Sequence, residues 1–293
     1  MISKDLLARV RKIEIRTRRM VDEITAGAYH SVFKGSGIEF DEVREYTSDD
    51  DVRDIDWNVT ARMGAPYVKK YMEERELTVV LAVDASASER FGSRSKTKND
   101  VVVETASLLA FSAIRNHDKV GLLLFTDQVE LYLPPKSGRS HGLRLIRELV
   151  ARKPQRKGTD IGAALQNMMR VLRKRAVVFL ISDFINEQDY TKLLMVANKR
   201  HDIIAVRVLD PVELSLPRMA GLSIEDAETG AVGFFNAGSK RLAALRDQHA
   251  ERLYQTGKQR CAKAQVDLID IRCGDDLVVP LMTFFRQRER KTH

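Results

Sequence analysis

Asp84-Ala85-Ser86-Ala87-Ser88 places a carboxylate and two hydroxyls on alternate residues directly after the apolar run Leu77 to Val83. Alternate residues leaving a strand can point the same way, so these three side chains can present their oxygens to one point. Two further oxygen-bearing segments lie downstream: Gly158-Thr159-Asp160 at the start of a helical pattern, and Ser182-Asp183 at the end of the apolar run Ala176 to Ile181. Asp84, Ser86, Ser88, Thr159 and Asp183 together make a hard set of carboxylates and hydroxyls without Cys or His. Such a set suits Mg2+, with Mn2+ and Ca2+ as competitors. Because hydroxyl ligands are neutral, a cation held this way keeps positive charge and an open position for a partner's carboxylate. Taken singly, each segment has a plainer reading: Asp and Ser cap the backbone of a strand-to-loop turn, and Thr159 caps a helix.

The elements that must bring these segments together follow from the hydrophobic pattern. Leu77 to Val83, Val120 to Phe125, Ala176 to Ile181 and Ile203 to Leu209, the last interrupted by Arg207, are short runs apolar on both faces. That is how strands buried in a mainly parallel sheet read. Val129 to Leu133, a short turn after Phe125, reads as an antiparallel neighbour. Helical stretches lie between: Lys96 to Asn116, Gly142 to Arg152, Ile161 to Arg173 and Glu187 to Lys199, then Ser239 to Ala262, a last strand Val266 to Ile271, and a closing helix Leu277 to Phe285 with Pro280 in its first turn. His249 shares a face with Leu242, Leu245 and Leu253, which predicts a packed histidine. The expected fold is α/β, doubly wound and Rossmann-like, a mainly parallel sheet with helices on both faces. In such sheets ligand sites form beyond the carboxyl ends of the strands, where strand order reverses, so the oxygen-bearing segments should converge there.

This pattern resembles the von Willebrand factor A family, whose metal-ion-dependent adhesion site reads D-x-S-x-S, then a distant Thr, then a distant Asp. The resemblance implies that Ser86, Ser88 and Thr159 touch the metal and that Asp84 and Asp183 act largely through water. A second resemblance lies upstream. Gly37-Ile38-Glu39-Phe40, Arg44-Glu45-Tyr46, Asp50-Asp51-Val52-Arg53, Ile55-Asp56-Trp57 and Ala61-Arg62 are similar to the signature stretch of a bacterial family catalogued as domain of unknown function fifty-eight. Its members carry a von Willebrand A-like domain and are associated with MoxR-type AAA ATPases, which implies such an ATPase or its client as partner. The chain departs from that family at Asp49, where Gly is usual, and at Glu89, where Met is common. Glu89 adds a carboxylate beside the site and so becomes a modulator of the open coordination position.

Ahead of the sheet, Leu6, Val10, Ile13, Met20 or Val21, and Ile24 recur at helical spacing with a polar step at Thr17, predicting a long amphipathic helix that packs on its own chain by default, with a membrane interface or a second protein as the other surfaces. The acidic stretch that follows, from Glu39 to Asp56, ends at the single Trp, Trp57. It reads as an ordered arm pinned by Arg53, Trp57 and Arg62, with partner contact as their second role. The expected division is residues 1–66 as helix and arm, and 67–293 as the sheet domain. Hydrophobic residues make up 44% of the 293, enough for a sizeable core. No apolar run approaches the roughly 20 residues of a membrane span. The N-terminus lacks a secretory apolar block, so a cytoplasmic location is expected. The net charge of +8 gathers near the ends, in Arg9 to Arg19 and Arg286 to Lys291, with no interleaved aromatics to stack bases. A solvated helix face is therefore expected rather than a specific nucleic-acid site, with peripheral membrane contact as an alternative. The expected function is a non-enzymatic, metal-dependent protein-binding module. The rival, a metal-dependent hydrolase or phosphatase, lacks a P-loop, an H-E-x-x-H motif, or a histidine in any site segment.

Overall fold

A computed structural model describes residues 4–25, 37–74, 76–93, 96–186, 188–215, 222–225, 230–235 and 238–292. The chain divides into two compact units, Met1–Val32 with Thr78–His293, and Phe33–Leu77. The division differs from the expected one at residue 66. The N-terminal helix joins the sheet unit because its apolar stripe packs there, whereas residues 67–74 join the acidic segment because their backbone pairs with it.

In the large unit, α1 (Lys4–Thr25) packs on the helices spanning Lys98–Arg115 and Arg139–Ala151. Val10 and Val21 are buried, and the polar step at Thr17 is buried too, its hydroxyl donating to the Ile13 carbonyl at 2.8 Å. The sheet elements are β3 (Thr78–Asp84), α3 (Lys98–Arg115), β4 (Lys119–Phe125), β5 (Val129–Lys136), α4 (Arg139–Ala151), α5 (Ile161–Val171), β6 (Val177–Ser182), α6 (Thr191–Arg200), β7 (Asp202–Leu209), a single turn α7 (Pro211–Leu214), α8 (Lys240–Lys263), β10 (Asp267–Arg272) and α9 (Val278–Thr292). A two-stranded ribbon of β8 (Leu222–Glu225) and β9 (Val232–Phe235) lies between α7 and α8.

The sheet has six strands in the order β10-β7-β6-β3-β4-β5, all parallel except β5, which runs antiparallel to β4 as expected. From β3 the chain builds outward through β4 to the β5 edge, then returns to place β6 on the other side of β3. The order therefore reverses between β3 and β6. Successive residues of each strand face opposite ways. Val80, Ala82, Val178, Leu180, Ile203 and Ala205 point to a core closed by Ile161, Leu165 and Met168 of α5, Leu194 of α6 and Cys261 of α8. The intervening residues, such as Leu81, Phe179 and Ile204, are equally buried on the opposite face. Apolar side chains on both faces are why these strands read as continuous hydrophobic runs.

The small unit pairs β1 (Gly37–Glu45) antiparallel with β2 (Tyr67–Glu74). Between them the acidic residues cap backbone. Asp51 accepts from the Arg53 amide at 2.9 Å, and Asp56 starts α2 (Trp57–Met63) by accepting from the Asn58 amide at 2.9 Å. Arg44 grips Asp50 through two bonds of 2.6 and 2.9 Å. Arg53, Trp57 and Arg62, the residues expected to pin the arm, are exposed, Trp57 at 66%. His249 is also exposed, because the N-terminal half of α8 stands away from the core, with Leu245 54% exposed. The terminal basic residues are partly ion-paired, Arg16 to Glu104 at 2.8 Å and Arg288 to Asp202 at 2.5 Å. Among the described residues no helix is long and apolar enough to cross a membrane.

Candidate metal centre

The carboxyl ends of β3 and β6 meet at the switch in strand order, and Asp84 and Asp183 sit there, buried. Asp84 accepts from the Ser86 amide through Oδ1 at 2.9 Å and from the Ser182 hydroxyl through Oδ2 at 2.8 Å. Beyond Asp84 the chain leaves the sheet: the Ala85 amide donates to the Phe125 carbonyl at 2.8 Å and the Ala87 amide to the Lys157 carbonyl at 2.9 Å. A 3-10 turn over Ala87–Arg90 then curls Ser88 and Glu89 back over the strand ends. Ser86 Oγ and Ser88 Oγ lie 3.0 Å apart, and Ser88 Oγ donates to Asp183 Oδ2 at 3.2 Å. One carboxylate oxygen from each of Asp84, Glu89 and Asp183 lies within 4.8 Å of the others. Asp84, Ser86, Ser88 and Asp183, four of the five expected ligands, are thus in one cluster, and Glu89 joins them.

Thr159 is carried by the loop whose Lys157 carbonyl holds the Ala87 amide, and its own carbonyl accepts from the Asn186 side chain at 3.0 Å. The helix cap next to it is Asp160, which accepts from the Ala163 amide at 2.9 Å. The plainer reading of Thr159 as an N-cap is therefore set aside. On the β6 side, Phe184 adopts the left-handed region at φ 59°, uncommon for a bulky residue and a mark of a constrained turn. Its amide donates to Ser182 Oγ at 3.1 Å, and its ring is buried. Gly257 of α8 makes room for this elbow, since a Cβ there would stand 3.3 Å from both Phe184 Cβ and the Phe184 carbonyl oxygen.

Three participants were not anticipated from the sequence. Ser182 bridges Asp84 to the elbow. Lys98, in the first turn of α3, is fully buried and donates to Asp183 Oδ2 at 2.8 Å and to Glu213 Oε1 at 3.0 Å. Glu213 comes from α7, in which Asp210 and Glu213 form a reciprocal capping box. The sole hint of Lys98 is its position: a cation in the first turn of a helix works against the dipole. Glu213 carries no local signal, since its role depends on where β7 delivers the chain.

The electrostatics are those of charge kept from water. Burial, then the neighbouring Asp183 charge, pushes Asp84 up to about 7. Burial likewise raises Glu89 well above the usual carboxylate range, and both Glu89 carboxyl oxygens are buried without a hydrogen-bond partner among the described residues. Burial also raises Glu213. For Lys98, burial acts to lower the ammonium, but the carboxylates of Glu89, Asp183 and Glu213 outweigh it and hold it firmly protonated. A buried carboxylate without a partner is costly, so this set of oxygens is chemically suited to a cation.

The sheet order and this centre define a doubly wound α/β domain with an oxygen-lined site at its topological switch point. The chain belongs to the family described as protein of unknown function DUF58, whose model matches residues 42–259. A protein of Mycobacterium tuberculosis strain H37Rv, described as uncharacterized, is 29% identical over 290 residues, covering 97% of this chain and 90% of the relative. One from Mycobacterium bovis gives the same values. Among solved structures, the conserved hypothetical protein BatB from Bacteroides thetaiotaomicron is 16% identical, with 73% of this chain and 99% of that chain covered at a TM-score of 0.45. A von Willebrand factor type A protein from Catenulispora acidiphila is 12% identical, with 77% and 44% covered at a TM-score of 0.40. The fold class rests on the strand order and register described above.

Proposed function

We propose that the chain is a non-enzymatic protein-binding module whose divalent cation, Mg2+ first and Mn2+ or Ca2+ as competitors, receives a carboxylate from a partner protein. Ser86, Ser88 and Thr159 would hold the cation, with Asp84 and Asp183 acting largely through water. Bound there, the cation would supply an electrophilic anchor for an acidic side chain. The observation that carries this reading is the clustering of Asp84, Glu89 and Asp183 around the Ser86 and Ser88 hydroxyls, with the Glu89 oxygens buried and without a hydrogen-bond partner among the described residues. Oxygen-only donors fit a hard cation. The family resemblance makes a MoxR-type AAA ATPase, or its client, the proposed partner. The hydrolase alternative finds less support, because the sequence offers neither a P-loop nor an H-E-x-x-H motif.

Calorimetry on the full chain should detect Mg2+ or Mn2+ binding that Asp84→Ala and Asp183→Ala each abolish while the near-ultraviolet circular dichroism is kept. Pull-down of the cognate ATPase should weaken in EDTA and in Ser86→Ala. Metal binding that survives both aspartate substitutions sinks the site assignment, and an EDTA-insensitive complex sinks the carboxylate bridge.

A further inference from the structure

A lysine with no exposed surface is unusual, and one placed against the helix dipole is more so. Lys98 is held by its surroundings on every side. Its amide donates to the Phe91 carbonyl at 2.8 Å, and Thr97 and Asp100 close a capping box around its turn. The preceding loop is tied down where the Ser93 amide donates to Asp210 at 2.8 Å, and Asp210 also accepts from the Val212 amide at 3.0 Å. The ammonium is thereby delivered to the metal centre as a fixed group. There it meets Asp183 Oδ2, the same oxygen that receives the Ser88 hydroxyl.

We infer that Lys98 is the resident counter-ion of this centre: a tethered ammonium that keeps the carboxylates assembled when no divalent cation is bound, and that loosens the cation's hold when one is. Without Lys98, the buried carboxylates of Asp84, Glu89, Asp183 and Glu213 would face one another with no positive charge among them from the described residues. One ammonium relieves part of that repulsion and leaves a deficit, so the centre remains attractive to a divalent ion. When that ion enters, it must share Asp183 with Lys98 and lie within Coulombic reach of a like charge at low effective dielectric. The result is a preassembled site with an exchangeable metal. The second half of the inference rests on the metal reading proposed above; the first half does not.

The test uses the full chain as wild type, Lys98→Met, and Lys98→Met combined with Glu89→Gln, with Mg2+ and Mn2+ as probes. Thermal unfolding is followed in EDTA and in excess Mg2+, and affinities are read by calorimetry. Lys98→Met should unfold at a lower temperature in EDTA, gain more from Mg2+ than wild type does, and bind Mg2+ about tenfold or more tighter. Adding Glu89→Gln should restore much of the lost stability in EDTA. A Lys98→Met protein as stable as wild type in EDTA, or one with equal or weaker Mg2+ affinity, overturns the inference. If neither wild type nor variants bind either metal, the metal reading and the exchange half fall, and the EDTA melts decide the rest: recovery by Glu89→Gln upholds the counter-ion role and no recovery overturns it. Should Lys98→Met alone not fold, the double variant decides in the same way, a folded protein upholding the counter-ion role and an unfolded one overturning it.

Discussion

Ser182 performs two tasks with one hydroxyl, donating to Asp84 Oδ2 at 2.8 Å and accepting from the Phe184 amide at 3.1 Å. Removing it leaves a buried carboxylate oxygen and a buried amide each short of a partner, which costs about 1 to 3 kcal/mol. Ser182→Ala should therefore lose stability in that range by urea denaturation while Mg2+ binding is weakened less than by Asp84→Ala. A loss indistinguishable from zero would mean that water replaces the hydroxyl and the elbow does not depend on it. The residues that were legible in the sequence share one property. Asp84, Ser86, Ser88 and Asp183 follow directly from apolar strands, so the strand pattern itself says where their side chains must lie. Lys98 and Glu213 were not legible because each belongs to a helical turn whose placement depends on how β3 and β7 lie in the sheet. Only the folded sheet brings those turns to the same point. Glu89 was legible as a neighbour of the site, but not as a buried carboxylate within it, because a 3-10 turn rather than an extended chain follows Ser88.

At the scale of elements, the run Ile203 to Leu209 was readable as a strand despite the charge inside it, and the structure shows why that charge is tolerated. Arg207 of β7 is buried, stands opposite Asp270 of β10 in the parallel register, and makes two bonds to it at 2.7 and 3.1 Å. It also donates to the Tyr254 carbonyl at 2.8 Å and stacks on the Tyr254 ring at 3.8 Å, which ties α8 to the outer edge of the sheet. Asp270→Ala would strand a buried guanidinium with a carbonyl and a ring as its remaining partners. The expected cost is about 3 kcal/mol, read as a lowered urea midpoint, with faster amide exchange in β10 and the C-terminal half of α8. Loss of less than about 1 kcal/mol would show that water solvates Arg207 from the Asp270 side. The small unit was less legible. Its strand β1 mixes acidic and apolar residues without a sustained alternation, and its acidic loop reads equally as an arm or as caps. The exposed half of α8 departs from expectation for a related reason: helical spacing of Leu242, Leu245 and His249 defines a stripe but does not supply a surface for it.

For the molecule as a whole, buried titratable groups tie stability to pH. His201 ends α6 with no exposed surface, and neither ring nitrogen has a hydrogen-bond partner among the described residues. Burial, then the nearby Arg200 and Arg175 charges, holds it below its ordinary 6.5. Its folded pKa lies below its unfolded one, so the unfolded chain binds the proton first. Its contribution to stability is complete above 6.5 and is lost as pH falls through the interval between the two values. His201 should therefore lower the melting temperature as pH falls from about 7.5 to about 5.5. The raised Asp84 and Glu89 take up protons in the fold and act in the opposite sense, so His201→Leu should lose less stability over that interval than wild type; parallel slopes in the two proteins would overturn the assignment to His201. The arrangement of the centre also has a consequence for how the chain is made. Lys98 and Glu213 are 115 residues apart, and Asp84 and Ser182 are 98 apart. At about 5 to 20 residues per second, a ribosome needs roughly 6 to 23 seconds to add the partner that Lys98 requires. During that interval β3, the strand at the middle of the sheet, has one flank empty, and the lysine and aspartate at its end remain hydrated. The nascent chain cannot seal its own centre from the N-terminal end, so segments that emerge later close a site whose first residues were made long before.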